Sequence, residues 1–235
     1  MYKRQLLGQE ATVEQRDALI EALGLNDPLH EQYVDFVTRA VQFDFGNSYR
    51  GALPVADMIL ERLPATLELA IVSALFAMIL GTLLGIYTAI RRNGLLANFI
   101  MSSSLIGVSL PTFLIGVLLI WLFAVELGWL PSFGRGETVQ LGFWSTSLLT
   151  VSGLKSLVLP AITLGLYQMT LIMRLVRAEM LEVLRQDFIK FARARGLPER
   201  MVYFQHALRN TLVPVTTVAG LQLGSIVAFA IIIGW

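Results

Sequence analysis

The sequence predicts an all-α polytopic membrane protein, and three observations carry that prediction. The chain of 235 residues is 55% hydrophobic and only 15% charged, with a mean hydropathy of +0.67, more apolar than a soluble core requires. Its apolar residues gather in four runs, about 65–90, 97–125, 156–176 and 211–235. Each is long enough to cross a hydrocarbon layer of roughly 30 Å at about 1.5 Å per helical residue. Its basic residues collect directly after the first run and between the third and fourth, which is the positive-inside pattern. The net charge of +1 says little beside this placement. With no cysteine, disulfides and thiolate metal sites are excluded, and the two histidines, His30 and His206, lie far apart in sequence.

Residues 1–64 read as a soluble helical segment. The start, MYKRQLLGQEATVEQ, is basic but lacks the apolar stretch of a signal peptide. Thr12 with Gln15 makes a capping-box start, Gly24 stops that helix, and Asn26-Asp27-Pro28 turns into a second one. In this second helix Leu29, Tyr33, Phe36, Val37 and Ala40 share a face that is expected to pack on something. Gly46, Gly51 and Pro54 mark an irregular turn before a short helix that is expected to end at Pro64.

The first run carries Glu68 near its start and Arg91-Arg92 after its end, so that end is predicted to be cytoplasmic. The second run is free of charge until Glu126 and is broken by Pro111, which predicts either a packing kink or a functional hinge. A loop rich in glycine and aromatic residues fills 127–155, and its rings favour the membrane interface. The third run contains Pro160, Tyr167 and Gln168 and ends at Arg174 and Arg177, which would cost about 3 kcal/mol each at the bilayer centre. The fourth carries Pro214, Thr216, Thr217, Gln222 and Ser225. Polar groups inside spans face other helices or a water-filled path. Gln168, Gln222 and Ser225 are therefore candidates for the path, with a helix-to-helix hydrogen bond the competing reading for the two glutamines.

Between the third and fourth runs, residues 177–210 are polar, basic and patterned as helix. Leu181, Leu184, Phe188, Phe191 and Ala192 recur at three- and four-residue steps, which predicts one amphipathic helix over about 179–195. Gly196 and Pro198 predict a helix end followed by a new start, and 198–210 continues into the fourth run. With 91–96 and 178–210 inside, both chain ends lie outside.

DFIKFARARG, followed by HALRNTLVPV and GLQLG, resembles the cytoplasmic EAA loop of the permease subunits of binding-protein-dependent ABC importers, in the dipeptide and oligopeptide branch. LGLNDPL, DFG, ERLPAT and GWLPSFG are similar to further segments of that family, so the resemblance covers nearly the whole chain. It implies a type I ABC importer transmembrane domain with four of the family's six spans present and one missing at each end, a truncated member. It also implies that 1–64 is extracytoplasmic and 65–235 the permease domain. The ATPase-coupling loop then comprises Asp187, Phe188, Phe191, Ala192, Arg193, Ala194, Arg195 and Gly196, of which Ala192 and Gly196 match the general EAA pattern literally. A basic face that merely meets solvent is the competing reading. The resemblance places GWLPSFG near the dock of the binding protein; an interface anchor is the competing reading, and the two are compatible.

The implied partners are a second permease subunit, two ABC ATPase subunits, an extracytoplasmic substrate-binding protein, membrane lipid and a peptide. No cofactor and no nucleic acid is expected. No GxxxxGK[ST], HExxH or GxSxG motif is present, so ATP hydrolysis is assigned to other subunits and the chain is not expected to be an enzyme. Nickel or glutathione is the alternative cargo. An ion-coupled secondary transporter, from a different class, would place ionisable residues at mid-span. An intramembrane enzyme would need paired His, Asp, Glu or Ser there. Neither pattern is found in the runs.

Overall fold

A computed structural model describes residues 26–48, 53–142 and 144–233, with the backbone alone at 106, 223 and 225–233. The expected capping box at Thr12 and Gln15 and the stop at Gly24 lie outside the described residues. The chain divides into two compact units, Met1–Leu63 and Pro64–Trp235.

In the first unit, α1 spans Leu29–Val41 behind Pro28, as the Asn-Asp-Pro turn predicts. Among the described residues the face of Leu29, Tyr33, Phe36 and Val37 is exposed, and α1 buries none of its residues. A turn follows in which the Asp44 carboxylate accepts from the Gly46 amide at 3.0 Å and the Val55 amide donates to the Gly46 carbonyl at 2.9 Å.

Helix α2, Val55–Ile90, does not end at Pro64 but runs through it. Proline removes the bond to the carbonyl four residues back and crowds that carbonyl, a local cost that the burial of Pro64, Glu68, Leu69 and Ala70 offsets. From Ile71 onward α2 has two opposed stripes. Ser73, Ala77, Gly81, Gly85 and Ala89 are buried, while Ile71, Leu75, Ile79 and Leu83 are exposed. Small residues inside and large apolar residues outside is the pattern of a helix that packs on protein and faces lipid.

Its buried stripe meets α5, Val151–Val183. A Cβ added at Gly85 would lie 2.7 Å from the Val176 Cβ, and one at Gly165 would lie 2.5 Å from the Phe76 ring. Close approach of the two backbones therefore depends on these glycines. The Arg177 guanidinium donates to the Thr88 carbonyl at 2.9 Å, satisfying an acceptor in the last turn of α2.

The second apolar run is a broken element, not a kinked helix. α3, Leu95–Ser109, and α4, Thr112–Ile120, which passes into a π-helical turn at Trp121–Glu126, are bent by 105°. Pro111 sits ahead of α4 and disfavours helical backbone at Leu110, so the helix stops before it restarts. The following loop contains a small antiparallel hairpin, β1 Val139–Leu141 and β2 Trp144–Thr146, a local departure from the all-α class. The loop ends earlier than 155, because the Thr150 hydroxyl accepts from the Gly153 amide at 3.0 Å and starts α5 at Val151.

Beyond α5 come α6, Asp187–Ala194, α7, Glu199–Met201, a π-helical stretch Val202–Ala207, and α8, Leu208–Ile233. Among the described residues, α2 and α5 are long and apolar enough to cross a membrane, and α3 with α4 is a third if the bent pair is one span. The fourth apolar run lies on the 26-residue α8.

Candidate functional site

The predicted coupling loop folds as a short helix held against the ends of longer ones. The expected single helix over 179–195 is interrupted: α5 stops at Val183, and Gln186 takes an extended conformation, ψ 154°, ahead of α6. Because α6 restarts, its apolar residues no longer follow the phase of α5. Ile189, 0% exposed, and Ala192, 6% exposed, face inward, whereas Phe188 and Phe191, 40% and 63% exposed, face outward. The predicted common face of Phe188, Phe191 and Ala192 is thus divided between two sides. Asp187 is exposed and pairs with Lys190 at 2.8 Å, which lowers the Asp187 carboxyl below its ordinary value.

The end of α6 is closed by backbone geometry. Arg195 caps it and Gly196 follows at φ +76°, a conformation that a side chain disfavours. The Gly196 amide donates to the Arg193 carbonyl at 2.9 Å and the Leu197 amide to the Ala192 carbonyl at 3.3 Å, the paired bonds of a Schellman motif. Pro198 then opens α7. Arg193 bridges this turn, donating through Nε and Nη2 to the two Glu199 oxygens at 3.0 and 3.4 Å. The Tyr203 hydroxyl also donates to Glu199, and with Arg193 it holds that carboxyl below its ordinary value; the same bond raises the Tyr203 hydroxyl. Arg195 lies 5.7 Å over the Phe191 ring, and Ala194 is exposed.

Ile189 and Ala192 belong to one apolar cluster with Ile86 and Ala89 of α2, Val176, Met180 and Val183 of α5, Val202 and Ala207 of the π-helical stretch, and Val215 of α8. The exposed turn is therefore packed into the ends of three long helices. Displacing α6 displaces a shared core.

Of the mid-span candidates, the Gln168 amide nitrogen donates to the Gln222 side-chain oxygen at 3.2 Å, joining α5 to α8. Gln168 is buried, and its own side-chain oxygen has no hydrogen-bond partner among the described residues. The side chain of Ser225 lies outside the described residues.

Two features escaped the sequence reading. One is the small-residue stripe of α2, whose signal, Gly81 and Gly85 four apart in an apolar helix, is visible in the sequence. The other is a polar hub at the end of α2 and α5 opposite α6. Glu68, 3% exposed, accepts from the Ser147 hydroxyl at 2.7 Å, the Ser147 amide at 3.1 Å and the Trp144 indole at 3.2 Å, and pairs with Arg135 at 3.5 Å. Arg135 also donates to the Ser145 carbonyl at 3.0 Å and hydroxyl at 3.2 Å. These partners lie 67 to 79 residues along the chain from Glu68, so no local pattern announces them.

Comparison with known proteins agrees with this architecture. Residues 81–235 match the family described as binding-protein-dependent transport system inner membrane component. The chain is 40% identical over 225 residues to the di/tripeptide transport system permease protein DppB of Pseudomonas aeruginosa, covering 91% of this chain and 67% of that one. It is 38% identical over 239 residues to the dipeptide transport system permease protein DppB of Alkalihalophilus pseudofirmus, covering 97% and 72%. It is 36% identical over 230 residues to the glutathione transport system permease protein GsiC of Escherichia coli, covering 98% and 70%. A helical chain with membrane-length spans, matched by this family over most of its length, belongs to the inner-membrane components of binding-protein-dependent transport systems.

Proposed function

We propose that the chain is a permease subunit of an importer for short peptides. It pairs with a second permease subunit, takes cargo from an extracytoplasmic binding protein and is driven by two ATP-hydrolysing subunits. The 1–64 segment and the loop over 127–150 then face outward, and α6 faces the cytoplasm. The observation that carries the reading is α6 itself, with Phe188, Phe191 and Arg195 turned outward while Ile189 and Ala192 are locked into the cluster that holds α2, α5 and α8. Such an element gives a partner an aromatic hold and transmits a push to the spans behind it.

The mechanism follows from that connection. Closure of the ATP-hydrolysing subunits moves α6, α6 moves the shared cluster, and the spans shift about the close α2–α5 seam at Gly85 and Gly165. Gln168 and Gln222 are proposed to line the path as well as to join α5 to α8. The buried position of Ala192 makes it a poor test of docking, since a charged residue there would damage the core. Phe191→Asp leaves the core untouched. It is expected to reduce co-purification of the ATP-hydrolysing subunits and peptide uptake by about tenfold or more, as for a central aromatic anchor. Unchanged co-purification and uptake would overturn the docking role.

Glutathione is the second reading for the cargo, supported by 36% identity to a permease named for it. Competition between radiolabelled dipeptide and glutathione in the assembled transporter separates the two.

A further inference from the structure

At the end of the molecule opposite α6, a cavity of about 430 Å³ lies between α2, α4, α5 and the segment Pro131–Arg135. Its walls are largely apolar, with Leu69, Phe113, Val117 and Leu159 among them, and among the described residues Arg135 is the one charged residue that lines it. The backbone presents this arginine by an unusual route. Gly134 at φ +89° and Gly136 at φ +67° flank it, and a Cβ at Gly136 would lie 2.6 Å from the Ser152 backbone, so the turn is seated against the start of α5.

The counter-charge stands behind the arginine. Glu68 is buried, does not line the cavity, and is engaged by Trp144 and Ser147 at shorter distances than by Arg135. Arg135 keeps 35% of its side chain exposed. Arg135 thus borders an apolar space of peptide size as a partly exposed cation, held from behind by Ser145 and Glu68 through its Nη1 and Nη2. A low-dielectric wall strengthens the attraction of such a cation for an anion, and a guanidinium matches a carboxylate in geometry.

We propose that this cavity is a cargo subsite in which Arg135 receives the carboxylate of a short peptide, the apolar walls take its side chains, and Glu68 is the positioning residue behind Arg135. The inference rests on the reading of the chain as a peptide importer. It assigns the recognition of the free carboxyl end to the permease itself, in addition to any selection by the binding protein.

The test is uptake of one tripeptide and of its C-terminal amide by the assembled transporter in proteoliposomes, each supplied on saturating binding protein. Wild type is compared with Arg135→Gln and Arg135→Lys. Selection by the binding protein is the same for every permease variant and cancels when the acid-to-amide ratios are compared. Arg135→Gln is expected to lower that ratio about tenfold by slowing the acid alone, and Arg135→Lys to retain most of it. Co-purification of the ATP-hydrolysing subunits stays unchanged. Equal slowing of acid and amide would assign Arg135 a purely structural role and overturn the proposal. An unchanged ratio, with a lipid acyl chain retained in the cavity or without one, would overturn it too. Failure of the wild type to take up either form while it turns over ATP would remove the peptide reading itself, a result distinct from uptake with an unaltered ratio.

Discussion

The two ends of the molecule each hold an arginine–carboxylate pair, and the pairs differ in a way that distance alone misrepresents. Arg193 and Glu199, in the turn after α6, meet at 3.0 Å with 39% and 55% of their side chains exposed. Arg135 and Glu68, at the opposite end, meet at 3.5 Å with 35% and 3% exposed. The shorter pair is the weaker one. Water screens it, and ordering two exposed side chains consumes much of the attraction. The longer pair includes a carboxylate already removed from water, whose cost is met by Trp144 and Ser147 as well as by the arginine. Burial decides the energetic weight, and the weight suits the position. The turn after α6 is held mainly by its backbone motif, while the hub ties a loop, a hairpin and a span into one body.

Removing Glu68 tests this contrast most severely. Glu68→Ala leaves the Trp144 indole and the Ser147 amide without their acceptor and Arg135 with Ser145 alone, and a loss of about 1–3 kcal/mol is expected, the range for a buried donor left unsatisfied. A large fall in thermal unfolding temperature in detergent, or failure to accumulate in the membrane, is the readout. Glu68→Gln, which keeps one acceptor oxygen and so can serve Ser147 or Trp144 but not both, should be milder. If the alanine variant melts like wild type, burial has not given the hub its weight and the comparison breaks.

Gly196→Val acts at the other end through the backbone. Forcing a branched residue into the left-handed region costs about 1–2 kcal/mol, spent on opening the Schellman turn. Faster hydrogen exchange at the Leu197 amide, with little change at the Glu68 hub, would show that the two ends respond separately. A spread of the effect to both ends would show that they do not.

The smallest effect is expected at the exposed pair, where Glu199→Gln should cost less than about 1 kcal/mol. Its pH dependence has a definite sign. The Glu199 carboxyl lies below its ordinary value in the folded turn, so the bonds from Tyr203 and Arg193 contribute above the ordinary carboxylate range. Their contribution is lost as pH falls through the lowered folded value. The Tyr203 ring resonance should follow that loss in the wild type and stay flat in Glu199→Gln.

Where the sequence was informative, its signal was local. The apolar runs, the Arg91–Arg92 stop, the Asn-Asp-Pro turn before α1 and the glycine–proline turn at Gly196–Pro198 each depend on residues within a few positions of one another, and all are found as helices and turns. Pro64 and Pro111 show the limit. Both were read as interruptions of helix, yet α2 runs through the first while the second separates two helices at 105°. A proline sets a local cost, and the packing around it decides whether the helix continues. Residues 179–195 show the same limit at finer scale, because a one-phase reading from Leu181 to Ala192 could not anticipate the break at Gln186 that turned Phe191 outward and Ala192 inward.

By itself the sequence determined that this chain is helical, membrane-embedded and of the permease family, because hydropathy, periodicity and motif are written along the chain. Only the tertiary structure decided which face of α6 is free, which glycines bring α2 against α5, and that Glu68 is the anchor of a distant loop. Those depend on which groups exclude water from one another, and that is settled between residues far apart in sequence.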